Sequence, residues 1–316
     1  MDPDVRSSRQ NAFRERQASI VDIHEAVDAG ALSYERLVRL YLDRIDAYDK
    51  KGPRLRAVIA INPRAIDIAR SLDQERTTKG RRGPLHGIPV AVKDNIDVRE
   101  MPTTGGNLAL AGAYAPYDAT VVRLLREAGA IILLKTNMDE LALGSRGLSS
   151  LGGQILNPYD LTRNPGGSSG GTAVAVNVGF ATVGLATETG FSIRSPASNN
   201  AIVGIAPSRG LVSRAGVIPI SFTQDRVGVH AKTVADAALL LDAIRGFDAD
   251  DLATAELLEQ TPSPPFTQVG AQALRGARIG CSVICSAREN RLRRPTGSSS
   301  GKSSSCASMA LPLSGT

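Results

Sequence analysis

Apolar residues recur along this chain in two periods. Between Ile20 and Asp49 they fall three or four apart, the spacing of one face of an α-helix, and the run reads as two helices. Ala26-Val27-Asp28-Ala29-Gly30 closes the first, since glycine tolerates the left-handed backbone at a helix C-terminus. Ser33 can cap the second, whose apolar stripe is Leu37, Leu40, Tyr41 and Ile45. Helical spacing returns over Ala65 to Glu75, Thr120 to Ala128 (closed by Gly129), Ser169 to Val178 and Thr233 to Ile244. Short continuous apolar runs suit strands buried on both faces. They occupy Leu55 to Ile61, Ile88 to Val92 after a Gly83-Pro84 turn, Ala130 to Leu134 and Ala181 to Ala186. Gly144 to Gly167 is irregular, and nothing repeats. Strands alternating with helices predict an α/β fold with a buried, mostly parallel sheet.

The pattern stops abruptly. A strand begins at Ala277-Arg278-Ile279-Gly280, and then residues 281–316 hold ten serines, all three cysteines and no apolar periodicity. That is the composition of a disordered tail, and its position reads as a chain that has left its reading frame. The expected organisation is therefore a domain over residues 1–280, with N-terminal helices at 15–50 and an α/β core at 51–280, followed by the tail.

Composition narrows the class. A 316-residue chain, 42% hydrophobic and 22% charged, suits a globular protein of one large domain or two smaller ones. No apolar run approaches the roughly 20 residues that span a bilayer. Met1 to Arg16 lacks the apolar core of a signal peptide, so a cytoplasmic location is expected. The net charge is +6, but five basic residues (Arg288, Arg291, Arg293, Arg294, Lys302) sit in the tail against Glu289 alone, leaving the body nearly neutral. With 4% aromatics and no tryptophan, neither a nucleic-acid nor a membrane partner is implied. The body has no cysteine for a disulfide or a thiolate metal site, and no cofactor or metal is expected.

Candidate chemistry sits in two serine-bearing glycine turns and a lysine. Gly166 to Gly171 reads Gly-Gly-Ser-Ser-Gly-Gly and leads into an alanine-rich helix, unlike a linker. It lacks the Gly-Lys-Ser/Thr ending of a phosphate loop, and the tail run Gly297 to Ser303 has three residues between its glycines where four are needed. Gly166-x-Ser168-x-Gly170 matches a hydrolase nucleophile elbow, but no strand precedes it and the only downstream histidine is His230. His24 and His86 read as helix-surface and turn residues. The remaining reading takes lysine as the base. Lys93 ends the apolar run Ile88-Pro-Val-Ala-Val, and burial can lower a lysine pKa into the useful range.

Taken together, Gly87-Ile-Pro-Val-Ala-Val-Lys93-Asp94, Thr136-Asn-Met-Asp139-Glu140, Asn164-Pro-Gly-Gly, the Gly166–Gly171 run, Gly190-Phe-Ser192-Ile-Arg194-Ser-Pro-Ala, Val203-Gly-Ile-Ala-Pro-Ser and Gln224-Asp225-Arg resemble the amidase signature family. The 24-residue spacing of Ser168 and Ser192 agrees, and the resemblance covers about residues 15–280. It implies an α/β/α sandwich around a mixed, largely parallel sheet. Family members continue considerably further, so the resemblance also implies a C-terminally truncated chain with an incomplete sheet.

The resemblance implies an amidohydrolase that cleaves a small carboxamide to a carboxylate and ammonia. Ser192 is the implied nucleophile. Ser168, after a cis peptide bond, passes protons between Ser192 and Lys93. Backbone N–H groups of Thr189, Gly190, Phe191 and Ser192 form the implied oxyanion hole. Ser169 is expected to hydrogen-bond Lys93, and Arg194 and Asp225 to give structural support. Phe191 stands where the family more often has glycine, and is expected to shape the acyl pocket. Alternatives are a truncated, inactive fragment and the amidase component of a tRNA-dependent amidotransferase. A second copy of the chain is the protein partner to test for.

Overall fold

The computed structural model describes residues 18–259, 264–268, 270, 272, 275 and 276. The strand expected from Ala277, the tail at 281–316 and the polar segment Met1–Arg16 lie outside the described residues.

Helices start where a cap and an apolar stripe coincide. Ser19 and Asp22 form a reciprocal capping box on α1 (Ile20–Asp28). Ser33 Oγ accepts the Arg36 N–H at the start of α2 (Tyr34–Ile45), which runs on into a π-helical turn at Asp46–Lys50. β1 (Val58–Ile61) is shorter than the Leu55–Ile61 apolar run, because Arg54 and Arg56 adopt φ of 53° and 56°, which a strand cannot pass through. α3 (Ala65–Lys79) extends past Glu75, and β2 (Pro89–Lys93), α4 (Thr120–Glu127) and β3 (Ile131–Thr136) follow. Within the irregular Gly144–Gly167 stretch, β4 (Leu148–Ser149) and β5 (Gly153–Gln154) pair as a small hairpin. Then come α5 (Gly170–Val178), β6 (Val183–Glu188), α6 (Arg194–Asn199), β7 (Val203–Ile205), β8 (Arg226–Ala231), α7 (Val234–Ile244) and α8 (Glu256–Glu259).

The main sheet has the order β1-β3-β2-β6-β8-β7. β2 runs parallel to both β3 and β6, whereas β1 and β8 are antiparallel to their neighbours. Four of the six strands therefore share one direction, and the sheet is mixed and largely parallel. Every residue of β2, β3 and β6 is buried, so both faces of the sheet centre are covered. The β2–β6 register brings Val92 beside Leu185 and sets the C-terminal ends of these two strands side by side. In parallel sheets that end is where ligand-handling groups collect.

α5 is seated on the sheet by a bare backbone. A Cβ on Gly171 would lie 2.1 Å from Asn137 O and 2.7 Å from Ala57 O, while its N–H donates to Asn137 O at 3.1 Å. Gly171→Ala should therefore cost about 2–4 kcal/mol of stability by overpacking against backbone. Urea denaturation measures this, and an unchanged midpoint would show that the close approach is dispensable.

Candidate active site

Lys93 is the last residue of β2 and is fully buried. Its Nζ lies 2.8 Å from Thr187 Oγ1, 3.2 Å from Thr187 O and 2.8 Å from Ser168 Oγ. Asn95 Nδ2 donates to Thr187 Oγ1 at 3.0 Å, and the threonine proton faces Asn95 Oδ1 at 3.4 Å. Thr187 thus offers Lys93 two acceptors. A neutral amine has two N–H groups for them and one lone pair, which is left for the Ser168 hydroxyl proton. Burial pushes the Lys93 pKa down from 10.5 to about 7, against the opposing charges of Asp139, Asp225 and Glu188. Near neutral pH a substantial fraction of Lys93 is therefore a free base.

The serine turn is held on both sides. The Gly167–Ser168 peptide bond is cis. Asp139 N–H donates to Ser168 O at 3.1 Å, and the Asp139 carboxylate accepts the Arg146 and Gly147 N–H groups at 3.0 and 2.7 Å. A Cβ on Gly167 would lie 1.8 Å from Asp139 Oδ2, so only glycine fits there. Ser169 Oγ donates to Thr187 O at 3.0 Å. It thus shares an acceptor with Lys93 and does not bond the amine itself, which differs from the contact expected from sequence.

Ser192 sits in the turn between β6 and α6, and is 7% exposed. Its carbonyl accepts Ser169 N–H at 3.3 Å, which ties the two serine turns together. Among the described residues no hydrogen bond joins the Ser168 and Ser192 hydroxyls. The N–H groups of Gly190, Phe191 and Ser192 likewise donate to no described residue, so they are free to face an anion. Phe191 is not among the positive-φ residues, so its side chain brings no backbone strain; it is 50% exposed at the edge of the turn. Thr189 Oγ1 donates to Asp225 Oδ1 at 2.5 Å, and Asp225 Oδ2 accepts the Ile220 and Ser221 N–H groups. Arg194 pairs with buried Glu188 at 2.9 Å and also donates to Gly190 O. Both supporting residues thus brace the Thr189–Ser192 turn.

Sequence reasoning missed Thr187, Asn95, Glu188 and the anchoring role of Asp139. Asn95 stands two residues beyond Lys93, in the turn that follows β2, where strand alternation no longer assigns a side. His230 is fully buried in β8 with Nε2 2.9 Å from Ile193 O, and no strand leads directly into Gly166, so the nucleophile-elbow arrangement is absent. His24 and His86 bond the backbone carbonyls of Pro84 and Leu72, and His86 is a buried turn residue. A cavity of about 390 Å³ borders Asp225 and is lined by Val217, Pro219, Phe222 and Leu252 among others. A larger cavity, about 530 Å³ beside β1 and Lys50, includes none of the site residues.

Known proteins resemble this chain in sequence and in fold. The profile of the Amidase family matches residues 36–289. A probable amidase of Arabidopsis thaliana is 44% identical over 279 residues, which is 85% of this chain and 54% of that protein. A glutamyl-tRNA(Gln) amidotransferase subunit from Acidothermus cellulolyticus is 43% identical, over 82% of this chain and 50% of the relative. Among solved structures, the peptide amidase of Stenotrophomonas maltophilia superposes with a TM-score of 0.77 at 46% identity, covering 81% of this chain and 53% of the other. The chain thus spans about half the length of the relatives it matches.

Proposed function

This chain belongs to the amidase family, and we propose that it carries the Ser–Ser–Lys centre of an amidohydrolase that cleaves a carboxamide to a carboxylate and ammonia. The observation that carries this reading is the buried Lys93 amine, 2.8 Å from Ser168 Oγ, with its remaining contacts taken by Thr187.

In the proposed reaction, free Lys93 takes the Ser168 proton as Ser168 takes the Ser192 proton. Ser192 Oγ forms a bond to the amide carbonyl carbon, and the resulting oxyanion is held by the N–H groups of the Thr189–Ser192 turn. The proton returns through Ser168 to the amide nitrogen, the C–N bond breaks, and ammonia leaves. Water, deprotonated through the same relay, then releases the carboxylate from Ser192. The exposed ring of Phe191 and the Phe222-lined cavity favour an apolar acyl group on the substrate. The name peptide amidase on a structural neighbour makes peptide amides a second substrate set to try.

The test is ammonia release by the purified 316-residue chain from aliphatic, aromatic and peptide amides. Activity no higher than that of Ser192→Ala would sink the reading. The Lys93 pKa of about 7 also fixes the pH profile. The amine works only when deprotonated, so the rate should rise about tenfold per pH unit below 7 and level off above it. A flat profile between about pH 5 and 9 would exclude Lys93 as the base. A component of an amidotransferase is the second reading, favoured by the names of several relatives. Hydrolysis of free amides by the isolated chain counts against it, and co-purification with an obligatory second protein counts for it.

A further inference from the structure

Two successive peptide planes follow the Ser192 side chain, and both are held at each end. In the Ser192–Ile193 plane the carbonyl accepts Ser169 N–H at 3.3 Å, and the N–H donates to Glu188 Oε2 at 2.9 Å. In the Ile193–Arg194 plane the N–H also donates to Glu188 Oε2, at 3.2 Å, and the carbonyl accepts Ala197 N–H at 3.2 Å and faces His230 Nε2 on a second side at 2.9 Å. His230 reaches across from β8, where it stands opposite both Gly184 and Gly204, two residues with no side chain to block the ring. A Cβ on Gly204 would already lie 3.3 Å from His230 Cδ2.

The chemistry of that contact is determined. A carbonyl only accepts, so Nε2 carries the ring proton, and a neutral ring leaves Nδ1 bare. Nδ1 is buried with no hydrogen-bond partner among the described residues. Burial, with the nearby Lys93 charge, holds the ring pKa down at about 4 against the raising effect of the Ile193 carbonyl, so the ring is neutral at working pH. A residue serving only to fill this space would avoid an unpartnered nitrogen, which costs free energy when buried.

We propose that His230 is a positioning residue for Ser192, whose Nε2–H, with the Ala197 N–H, holds the Ile193 carbonyl and thereby the orientation of the turn presenting the serine hydroxyl and its neighbouring N–H groups. The proposal rests on the reading of Ser192 as nucleophile. His230 touches no substrate in it, and acts through the backbone alone.

The test compares His230→Gln, His230→Asn and His230→Leu with the wild-type chain. Glutamine can place an N–H where Nε2 stands; asparagine is equally polar but too short; leucine fills the space without a donor. Each protein is treated with a fluorophosphonate, in which Ser192 Oγ bonds to phosphorus, fluoride leaves and the serine proton passes to the relay. Labelling rate and site are read by mass spectrometry, alongside the thermal midpoint. The leucine and asparagine variants should label Ser192 about tenfold more slowly, and the glutamine variant within about threefold of wild type, at similar midpoints. Wild-type labelling rates in the leucine or asparagine variant, or an equal loss in all three, would overturn the proposal. If the leucine variant does not fold, the glutamine–asparagine contrast decides. If the wild-type chain itself does not label at Ser192, the functional reading fails first. Amide hydrogen exchange at Ile193 and Arg194 then decides the clamp separately: protection kept by glutamine and lost by asparagine supports it, and equal protection overturns it.

Discussion

Ser192→Ala should lower amide hydrolysis by on the order of 10⁵ or more, because no acyl-enzyme can form without the hydroxyl. Ser168→Ala should be nearly as severe in turnover, yet leave a different trace. Ser192 remains present, but its proton has no path to Lys93, whose amine is hydrogen-bonded to Ser168 Oγ at 2.8 Å. A fluorophosphonate should then still label Ser192, only slowly, whereas Ser192→Ala should show no label anywhere in the two turns. Steady-state ammonia release and peptide mapping of the labelled chain measure both. Labelling of Ser168 in the Ser192→Ala protein, or turnover retained by either variant, would reverse the assigned roles. The two variants must be compared with folded controls, which the intact Glu188–Arg194 and Asp139 anchors make reasonable, since neither anchor uses a serine side chain.

Much of this arrangement is legible in the sequence, for reasons that differ from residue to residue. Helices α1, α2 and α7 announce themselves because cap and stripe agree at Ser19, Ser33 and Thr233. β2, β3 and β6 are continuous apolar runs since the sheet centre is covered on both faces. Lys93, Ser168 and Ser192 are recognisable because a glycine-rich turn surrounds Ser168, Gly190 stands two residues before Ser192 and an apolar strand leads into the lysine. What stays hidden is local and non-periodic. α6, Arg-Ser-Pro-Ala-Ser-Asn, has no apolar stripe, and β8 carries a glycine and a histidine in place of β-branched residues. Arg54 and Arg56 look permissive of a strand until their positive φ is seen. Thr187 was unreadable as a ligand of the lysine amine, because its role depends on the β2–β6 register, which only the fold supplies.

Lys93→Met should abolish turnover and, at acidic to neutral pH, make the protein more stable than the wild type. A lysine whose pKa is about 7 in the folded chain and 10.5 when exposed is a burden on folding. Below about pH 7 both states are protonated, and the cost of burying the cation is present in full, at most about 5 kcal/mol. Between 7 and 10.5 only the unfolded chain holds the proton. Wild-type stability therefore climbs with pH there by up to about 1.4 kcal/mol per unit. Above 10.5 the amine is neutral in both states and the cost is gone. Methionine matches the lysine stem in length and removes the charge. Its remaining neighbours are largely provided for: Thr187 O keeps the Ser169 hydroxyl, and Thr187 Oγ1 keeps Asn95, so only the Ser168 hydroxyl loses its partner. A net gain of roughly 2–4 kcal/mol at about pH 6 follows, shrinking toward zero by about pH 10. Urea unfolding of both proteins at about pH 6, 8 and 10 measures it. A difference that does not change with pH would mean that Lys93 is not held as a depressed base in the folded chain. A closing gap would tie the instability to the same burial that makes the amine able to accept the Ser168 proton, so that the catalytic centre and the folding cost are one physical feature.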